Sequence, residues 1–184
     1  PDNAELHQNL GTIWSKQGRL DEALRSFERA LTLRPDFISA YGSILLCLLY
    51  TDGGMRASPR WSARDYARRY EQPLRASWPA YANSRDPERR LKVGYVSADF
   101  RMHSVAYFLE PLLAHHDKRA VEIYAYYNYG VRDALTERLM TYADHWRDCA
   151  SLTDAELAAR IQADGIDILV DLAGHTAGNR LLVF

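Results

Sequence analysis

Two short polar segments of the 184-residue sequence carry side chains that could do chemistry at neutral pH. In the first, Asp99 and His103 stand four residues apart and Ser104 follows directly. An imidazole in such a place can act as an acid, a base or a hydrogen-bond donor. A carboxylate four residues away can orient that ring. The alternative, that Asp99 and His103 only shape a turn, stays open on spacing alone.

The second segment, residues 172–179, is rich in glycine. Gly174 and Gly178 would let the backbone approach a ligand closely, and Thr176 and Asn179 add polar contacts. By itself the pattern fits a tight connection as well as it fits a binding loop.

The elements around these segments predict a parallel α/β sheet. Strands are expected over residues 91–97, 121–128 and 166–171, and helices over residues 105–116, 133–143 and 154–163. This alternation is typical of right-handed crossovers, and ligands bind beyond the carboxyl ends of such strands. Both polar segments follow strands, so we expect them at one edge of a three-stranded sheet. Ser104 is expected to cap the helix that follows it, with free amide donors for an oxygen ligand.

The first third of the chain predicts paired helices over residues 3–16 and 22–33, with Asp21 as the cap of the second. The pattern resembles the 34-residue tetratricopeptide repeat (TPR). The matching positions are Leu10, Gly11, Trp14, Gly18, Ala23, Phe27, Ala30 and Pro35. The small residues would let the helices approach closely while Trp14 and Phe27 fill the seam. A partial repeat follows from Phe37 to Leu49, and a further helix is expected over residues 62–77.

The two polar segments carry a second resemblance. Residues 91–100 (Leu-Lys-Val-Gly-Tyr-Val-Ser-Ala-Asp-Phe), residues 103–109 and residues 167–176 resemble the O-GlcNAc transferase and SPINDLY-like family, which also has TPRs upstream. The resemblance implies a GT-B fold of two Rossmann-like lobes with the active site between them. It also implies inverting, metal-independent transfer of a sugar, usually from UDP-GlcNAc, to Ser or Thr hydroxyls of proteins.

Site residues follow from the same resemblance, position by position. His103 matches the active-site histidine of the family, and Asp99 matches a nearby carboxylate also considered for catalysis, so the identity of the base stays open. Ser104 is assigned with the first loop to substrate binding. Gly174, His175 and Thr176 match a second substrate-binding loop at the cleft. The predicted partners are a sugar nucleotide, an acceptor protein bound through the TPR groove and cleft, and a carboxy-terminal catalytic lobe.

Composition argues against several classes of function. The net charge of -1 gives no overall field that would attract nucleic acid or an anionic membrane. No apolar run approaches the ~20 residues that a membrane span requires. No Asp-x-Asp pair or phosphate-binding glycine motif occurs, and we expect neither metal nor cofactor. Cys47 and Cys149 share no metal-ligand spacing, which indicates two buried, reduced thiols in a cytoplasmic protein.

We therefore predict three parts. These are a TPR repeat and partial repeat over residues 1–55, a linker helix and connection over residues 56–90, and an incomplete amino-terminal Rossmann-like lobe over residues 91–184. Because the other lobe is absent, we expect the chain alone to transfer no sugar. Two alternatives remain, a protein O-fucosyltransferase that uses GDP-fucose and a non-catalytic TPR interaction protein.

Overall fold

The computed structural model describes residues 2–54 and 60–184. They form two compact units, Pro1–Trp78 and Pro79–Phe184, and each is described by itself. The predicted boundary between residues 55 and 56 lies outside the described residues. The predicted linker over residues 56–90 is divided between the two units, because the division falls after Trp78.

The first unit begins with three helices, α1 (Ala4–Lys16), α2 (Leu20–Leu33) and α3 (Ile38–Leu48). The side chain of Asn3 caps α1 by accepting hydrogen bonds from the amides of residues 5 and 6. Helices α1 and α2 pack closely at Gly11, where an added Cβ would lie 2.5 Å from Cε1 of Phe27. Ala23 and Ala30 are fully buried beside Phe27. The predicted use of small residues at this seam is therefore confirmed.

The predicted cap of α2 is wrong. The helix begins at Leu20, so Asp21 lies inside its first turn, and the cap residue Arg19 makes no capping hydrogen bond through its side chain. Gly18 adopts a left-handed conformation with φ of 75°, which turns the chain back at once and starts the helix early. Arg19 instead lies over the Trp14 ring at 3.9 Å.

The helix predicted over residues 62–77 is helical throughout but not uniform. It starts as α4 (Ala63–Tyr66), capped by Ser62, continues as a π-helix over Ala67–Glu71 and ends as a 3₁₀-helix over Gln72–Ser77. Pro73 has no amide hydrogen to donate, which is a physical reason for the change of helix type. Among the helices in the described part of the chain, none is both long and apolar enough to cross a bilayer.

The second unit is built on a parallel sheet of four strands in the order β3-β2-β1-β4. The strands are β1 (Leu91–Ser97), β2 (Val121–Tyr127), β3 (His145–Asp148) and β4 (Ile168–Asp171). The prediction of three strands was wrong, because β3 was missed. Its sequence, His-Trp-Arg-Asp, forms a half-exposed edge strand and lacks the apolar pattern that marks buried strands.

Three helices cover the sheet, α5 (Ser104–His115), α6 (Ala134–Met140) and α7 (Asp154–Asp164). One face of the sheet packs with α5 and α6 through a buried cluster that includes Val93, Ile123, Leu109, Leu113, Leu135 and Leu139. The other face packs with α7 through Val96, Tyr126, Leu157 and Ile161. The unit is therefore a three-layer, doubly wound α/β fold. A 3₁₀ turn at Leu181–Val183 follows β4.

One buried carboxylate ties the amino-terminal ends of β1 and β4 together. Asp167, with 7% of its side chain exposed, accepts a hydrogen bond from Nη1 of Arg89 at 2.6 Å and from the Lys92 amide at 2.9 Å. Nδ2 of Asn83 also donates to it. These donors, Arg89 first, hold the pKa of the Asp167 carboxyl well below its usual range. The carboxylate is thus an ionised anchor at the edge opposite the polar loops.

Candidate active site

The polar loops leave the sheet where its strand order reverses. From β1 the chain moves to β2 and β3, and β4 then pairs on the other side of β1. Because all pairs are parallel, the carboxyl ends of β1 and β4 lie side by side at one edge, with Val96 opposite Asp171. Such a reversal point is where open α/β sheets bind ligands. The loops after β1 and β4 therefore share the expected position of a ligand crevice.

Two anchors hold the loop after β1. Phe100 is fully buried and packs against the rings of Tyr127 and Trp146. Oδ2 of Asp133 accepts a hydrogen bond from the Met102 amide at 2.6 Å, while its Oδ1 caps the first turn of α6. The Met102 and Thr136 amides lower the pKa of Asp133, so its carboxylate stays charged. The loop that carries His103 is thus fastened to the sheet at one point and to a helix start at another.

Asp99 is a buried carboxylate with two cationic or potentially cationic neighbours. Its amide donates to Oγ of Ser97 at 2.9 Å, which fixes the turn at the end of β1. Its Oδ1 accepts a hydrogen bond from Nη2 of Arg101 at 3.4 Å, and its Oδ2 lies 3.6 Å from Nδ1 of His103. The Arg101 guanidinium also lies over the Tyr129 ring at 4.6 Å. Asp99 is therefore placed to orient His103.

His103, and not Ser104, is the cap of α5. Its Nδ1 accepts a hydrogen bond from the Val105 amide at 3.3 Å. Ser104 is the first residue of the helix and is exposed, so its predicted capping role is wrong. The extended backbone of His103 lets the imidazole reach the amide two residues ahead, as a shorter side chain does in an ordinary cap. About a third of the His103 side chain, 38%, is exposed.

The two neighbours of Nδ1 impose different tautomers. An Nδ1 that accepts from the Val105 amide carries no proton, so a neutral ring then has its proton on Nε2 and can donate from there. An Nδ1 that donates to Asp99 leaves Nε2 with a lone pair and able to accept a proton. The same ring can therefore serve a substrate as a donor or as a base, and Asp99 favours the base.

The loop after β4 is braced by its own hydrogen bonds. The Asp171 carboxylate accepts from the amides of Ala173 and Gly174, at 3.1 and 2.6 Å. Oγ1 of Thr176 donates to the Ala173 carbonyl at 2.7 Å. Gly174 has a φ of 54°, a left-handed conformation that favours glycine. The Thr176 hydroxyl is therefore already engaged inside the loop, although it can still accept a hydrogen bond.

His175 is half-buried in this loop. Burial lowers the pKa of its imidazole, and the opposing influence of Asp171 is smaller. The ring is therefore neutral near pH 7.

Asn128 and Gly178 join the loops across the sheet edge. The Asn128 amide donates to the Ser97 carbonyl at 2.9 Å, and its Nδ2 donates to the Gly178 carbonyl at 2.8 Å. A Cβ at Gly178 would lie 3.1 Å from Cβ of Ala98. The second loop thus folds back onto the end of β1.

Sequence reasoning missed both Asn128 and Asp133 as positioning residues. An Asp three residues before Thr136 signals a helix cap, but nothing local signals the bond to Met102. Asn128 follows directly after β2 at the same edge of the sheet, and this position was its one sequence signal of a role at the site.

Two family models match the chain. The model of glycosyl transferase family 41 matches residues 74–184, a range that includes the whole sheet and both polar loops. The tetratricopeptide repeat model matches residues 4–37, which include α1 and α2. The predicted fold class is confirmed, namely a TPR helical repeat followed by a Rossmann-like parallel α/β half-domain of a GT-B glycosyltransferase.

Named relatives agree with these models. The chain is 36% identical over 155 residues to the probable UDP-N-acetylglucosamine–peptide N-acetylglucosaminyltransferase SPINDLY of Solanum lycopersicum, covering 82% of this chain and 16% of that protein. It is 33% identical over 99 residues to the UDP-N-acetylglucosamine–peptide N-acetylglucosaminyltransferase of Caenorhabditis elegans, covering 52% of this chain and 8% of that protein.

A solved structure of a mutant O-GlcNAc transferase from Thermobaculum terrenum superposes with a TM-score of 0.86 at 42% identity. The match covers 100% of this chain and 35% of that one. The chain thus spans a minor part of the length of each of these three proteins.

Proposed function

Because the chain belongs to glycosyl transferase family 41, we propose that it is part of a protein O-GlcNAc transferase. The proposed reaction transfers N-acetylglucosamine from UDP-GlcNAc to Ser and Thr hydroxyls of proteins, with inversion and without a metal. His103 and Asp99 are the proposed catalytic residues. Ser104, Gly174, His175 and Thr176 are proposed to bind substrate.

The observation that carries this proposal is the pairing of Asp99 with His103 at the strand-order reversal. A buried carboxylate lies 3.6 Å from a partly exposed imidazole, in a loop that two anchors hold in place. This arrangement suits proton transfer to or from a bound hydroxyl.

Inversion requires one displacement. The acceptor hydroxyl oxygen forms a bond to the anomeric carbon as the bond from that carbon to the diphosphate oxygen breaks, and UDP leaves with the electron pair. Nε2 of His103 takes the hydroxyl proton, and the Asp99 carboxylate stabilises the imidazolium that forms. General base assistance of this kind contributes roughly a hundred- to ten-thousandfold.

Charge on the leaving diphosphate needs hydrogen-bond donors and cations. We propose that a carboxy-terminal lobe supplies most of them. The neutral His175 ring and the Gly174 backbone would meet the substrate from the side of β4. The helical unit would contribute the acceptor groove, and cytoplasmic location fits the two buried free thiols.

The test is a transfer assay on a protein that contains this chain joined to a carboxy-terminal catalytic lobe. We expect sugar transfer to a Ser/Thr peptide from UDP-GlcNAc, with a β-linked product and no loss of activity in a chelator. Transfer from GDP-fucose instead would favour the O-fucosyltransferase, which the resemblance to SPINDLY-like proteins keeps as the second candidate. The 184-residue chain alone should show no turnover.

A non-catalytic interaction protein makes a different prediction. It would bind the acceptor peptide with equal affinity before and after a His103→Ala substitution, and it would transfer neither sugar. Loss of sugar transfer in the His103→Ala variant, with unchanged peptide binding, would support the proposal that the protein is an enzyme. Absence of transfer from both donors in the two-lobed protein would refute it.

A further inference from the structure

A cavity of about 540 Å³ lies in the helical unit, far along the chain from the polar loops. Its lining comes from the end of α2, the start of α3 and residues 60–69. Its volume is in the range of small-ligand sites, about 300–1,000 Å³. Nothing in the proposed transfer reaction uses it.

Two aromatic rings form a rigid wall of this cavity. Tyr41 and Trp61 are buried, and their rings meet edge to face with centroids 5.0 Å apart. The indole Nε1 of Trp61 donates to Oε1 of Glu28 at 2.7 Å, which fixes the ring in the plane that it occupies. Leu31 and Pro35 extend the apolar surface. Tyr41 is 2% and Trp61 is 9% exposed, so the two rings form a fixed backing and the accessible surface comes mainly from residues such as the exposed Pro35.

Three guanidinium groups line the same cavity. Arg68 forms an ion pair with Asp65 at 3.0 Å, so the charge of its guanidinium is already compensated. Arg60 lies over the Trp61 ring at 5.0 Å and has no carboxylate partner in the part of the chain that the structure describes. Arg69 lies over the Tyr41 ring at 5.8 Å and reaches the Pro35 carbonyl at 3.4 Å. Two of the three guanidiniums therefore keep most of their donors for a ligand.

The charges favour an anion with several oxygens. Glu28 and Asp65 are the two carboxylates on the lining, and one oxygen of Glu28 already accepts the Trp61 indole hydrogen. A carboxylate ligand presents two oxygens and is satisfied by a single guanidinium. A phosphate monoester carries three free oxygens and a charge near -2 at neutral pH, which matches two uncommitted guanidiniums.

We propose that this cavity binds a phosphate monoester whose organic part is aromatic or apolar. The phosphate lies between the guanidiniums of Arg60 and Arg69, and the organic part lies along Pro35 and the small exposed part of Trp61. Such a group can belong to a free metabolite or to a phosphorylated side chain of a protein segment.

The test titrates phenyl phosphate into the 184-residue chain by calorimetry, with phenol and inorganic phosphate as matched probes. We expect phenyl phosphate to bind more tightly than either probe and to shift the ¹⁵N resonance of the Trp61 indole. Arg60→Gln and Arg69→Gln should each weaken binding roughly tenfold, because each removes charged hydrogen bonds. Arg64→Gln is the control, since Arg64 is exposed on α4 and does not line the cavity.

A tripeptide containing phosphotyrosine separates the two sources. Tighter binding than phenyl phosphate would assign the site to a phosphorylated segment, and equal binding would assign it to a free phosphate ester. Three results would overturn the proposal. These are no binding of phenyl phosphate at millimolar concentration, equal affinity for inorganic phosphate, or equal weakening by Arg60→Gln and Arg64→Gln. None of these readouts depends on sugar transfer.

Discussion

Oδ2 of Asp99 lies 3.6 Å from Nδ1 of His103, and that same nitrogen accepts a hydrogen bond from the backbone at 3.3 Å. The ring nitrogen cannot donate to the carboxylate and accept from the amide at once when the imidazole is neutral. The arrangement therefore holds two proton distributions in competition, and a bound substrate can select between them.

Replacing His103 by Ala should remove transfer activity while leaving the fold intact. In a protein that combines this chain with a carboxy-terminal lobe, we expect kcat to fall by roughly a hundred- to ten-thousandfold, because proton transfer to the ring is lost. Steady-state kinetics with UDP-GlcNAc and an acceptor peptide would measure the change.

His115→Ala is the matched control for that substitution. His115 lies at the opposite end of α5, exposed to solvent, with its ring bonded to the Pro111 carbonyl. Its removal should leave kcat within about twofold, since surface substitutions away from a site have small effects. An equal loss in both variants would mean that the helix and not the His103 ring is at fault.

Asp99→Asn should change the tautomer of His103. An amide in place of the carboxylate removes the anion that favours a proton on Nδ1, and the Val105 amide then selects the form with its proton on Nε2. Ring ¹⁵N shifts of His103 would report this change directly. Unchanged shifts, or transfer as fast as in the parent protein, would remove Asp99 from the mechanism.

His175 should titrate below pH 6.5 in the folded chain, because burial disfavours its charged form. The unfolded state then takes up a proton first as the pH falls through about 6.5, so acidification destabilises the fold in that window. His116, whose pKa burial also lowers, acts in the same direction. NMR titration of the two rings separates them, and a His175 pKa of 6.5 or higher would contradict the structure.

Asp167→Asn should destabilise the α/β unit by about 2–3 kcal/mol at pH 7. The substitution leaves Arg89 without its anion and weakens the bond to the Lys92 amide, and the partial exposure of Arg89 moderates the loss. Urea unfolding followed by hydrogen exchange of the β1 and β4 amides would measure it.

The pH dependence gives a second check on Asp167. A carboxyl whose pKa is lowered on folding stabilises the fold above the unfolded value, about pH 4, and the contribution fades below that pH. The Asn variant should therefore lose less stability than the parent chain between pH 5 and about pH 2. Asp117→Asn, at an exposed pair with Arg119, should leave stability at pH 7 nearly unchanged.

Gly11→Ala should destabilise the helical unit. Alanine favours helix by about 1 kcal/mol over glycine, but the added methyl would meet the Phe27 ring at 2.5 Å. Overpacking of this kind costs about 1–3 kcal/mol, so after the gain in helix propensity we expect a net loss of up to about 2 kcal/mol. Phe27→Leu in the same chain should relieve part of the clash. If the losses in the free energy of unfolding are additive in the double variant, residues 11 and 27 are not in direct contact.

Strong local patterns predicted most of the fold. The alternation of strands and helices, the glycine and alanine positions of the TPR and the glycine-rich turns all have short-range physical causes. The prediction missed β3 because only one of its four residues, Trp146, is apolar, and because its pairing partner, Tyr124 to Tyr127, lies some twenty residues earlier. The cap of α2 was predicted wrongly because the left-handed turn at Gly18 lets the helix begin at Leu20, before Asp21.

The sequence predicted the two polar segments but not the contacts that hold them at one edge of the sheet. Asp99 and His103 were singled out from spacing and resemblance, and their roles remain predictions. The residues that hold the two loops, Asp133 for the loop after β1 and Asn128 for the loop after β4, bond across thirty or more residues of chain. No local sequence pattern encodes such contacts, because they form only when the sheet brings the strand ends together.

The double use of the Asp133 carboxylate has a consequence for inactivation. One oxygen holds the first turn of α6 and the other holds the loop of His103, so melting of that turn releases the loop as well. Warming, or a substitution that weakens the start of α6, would therefore free the loop that carries His103 while the sheet stays folded.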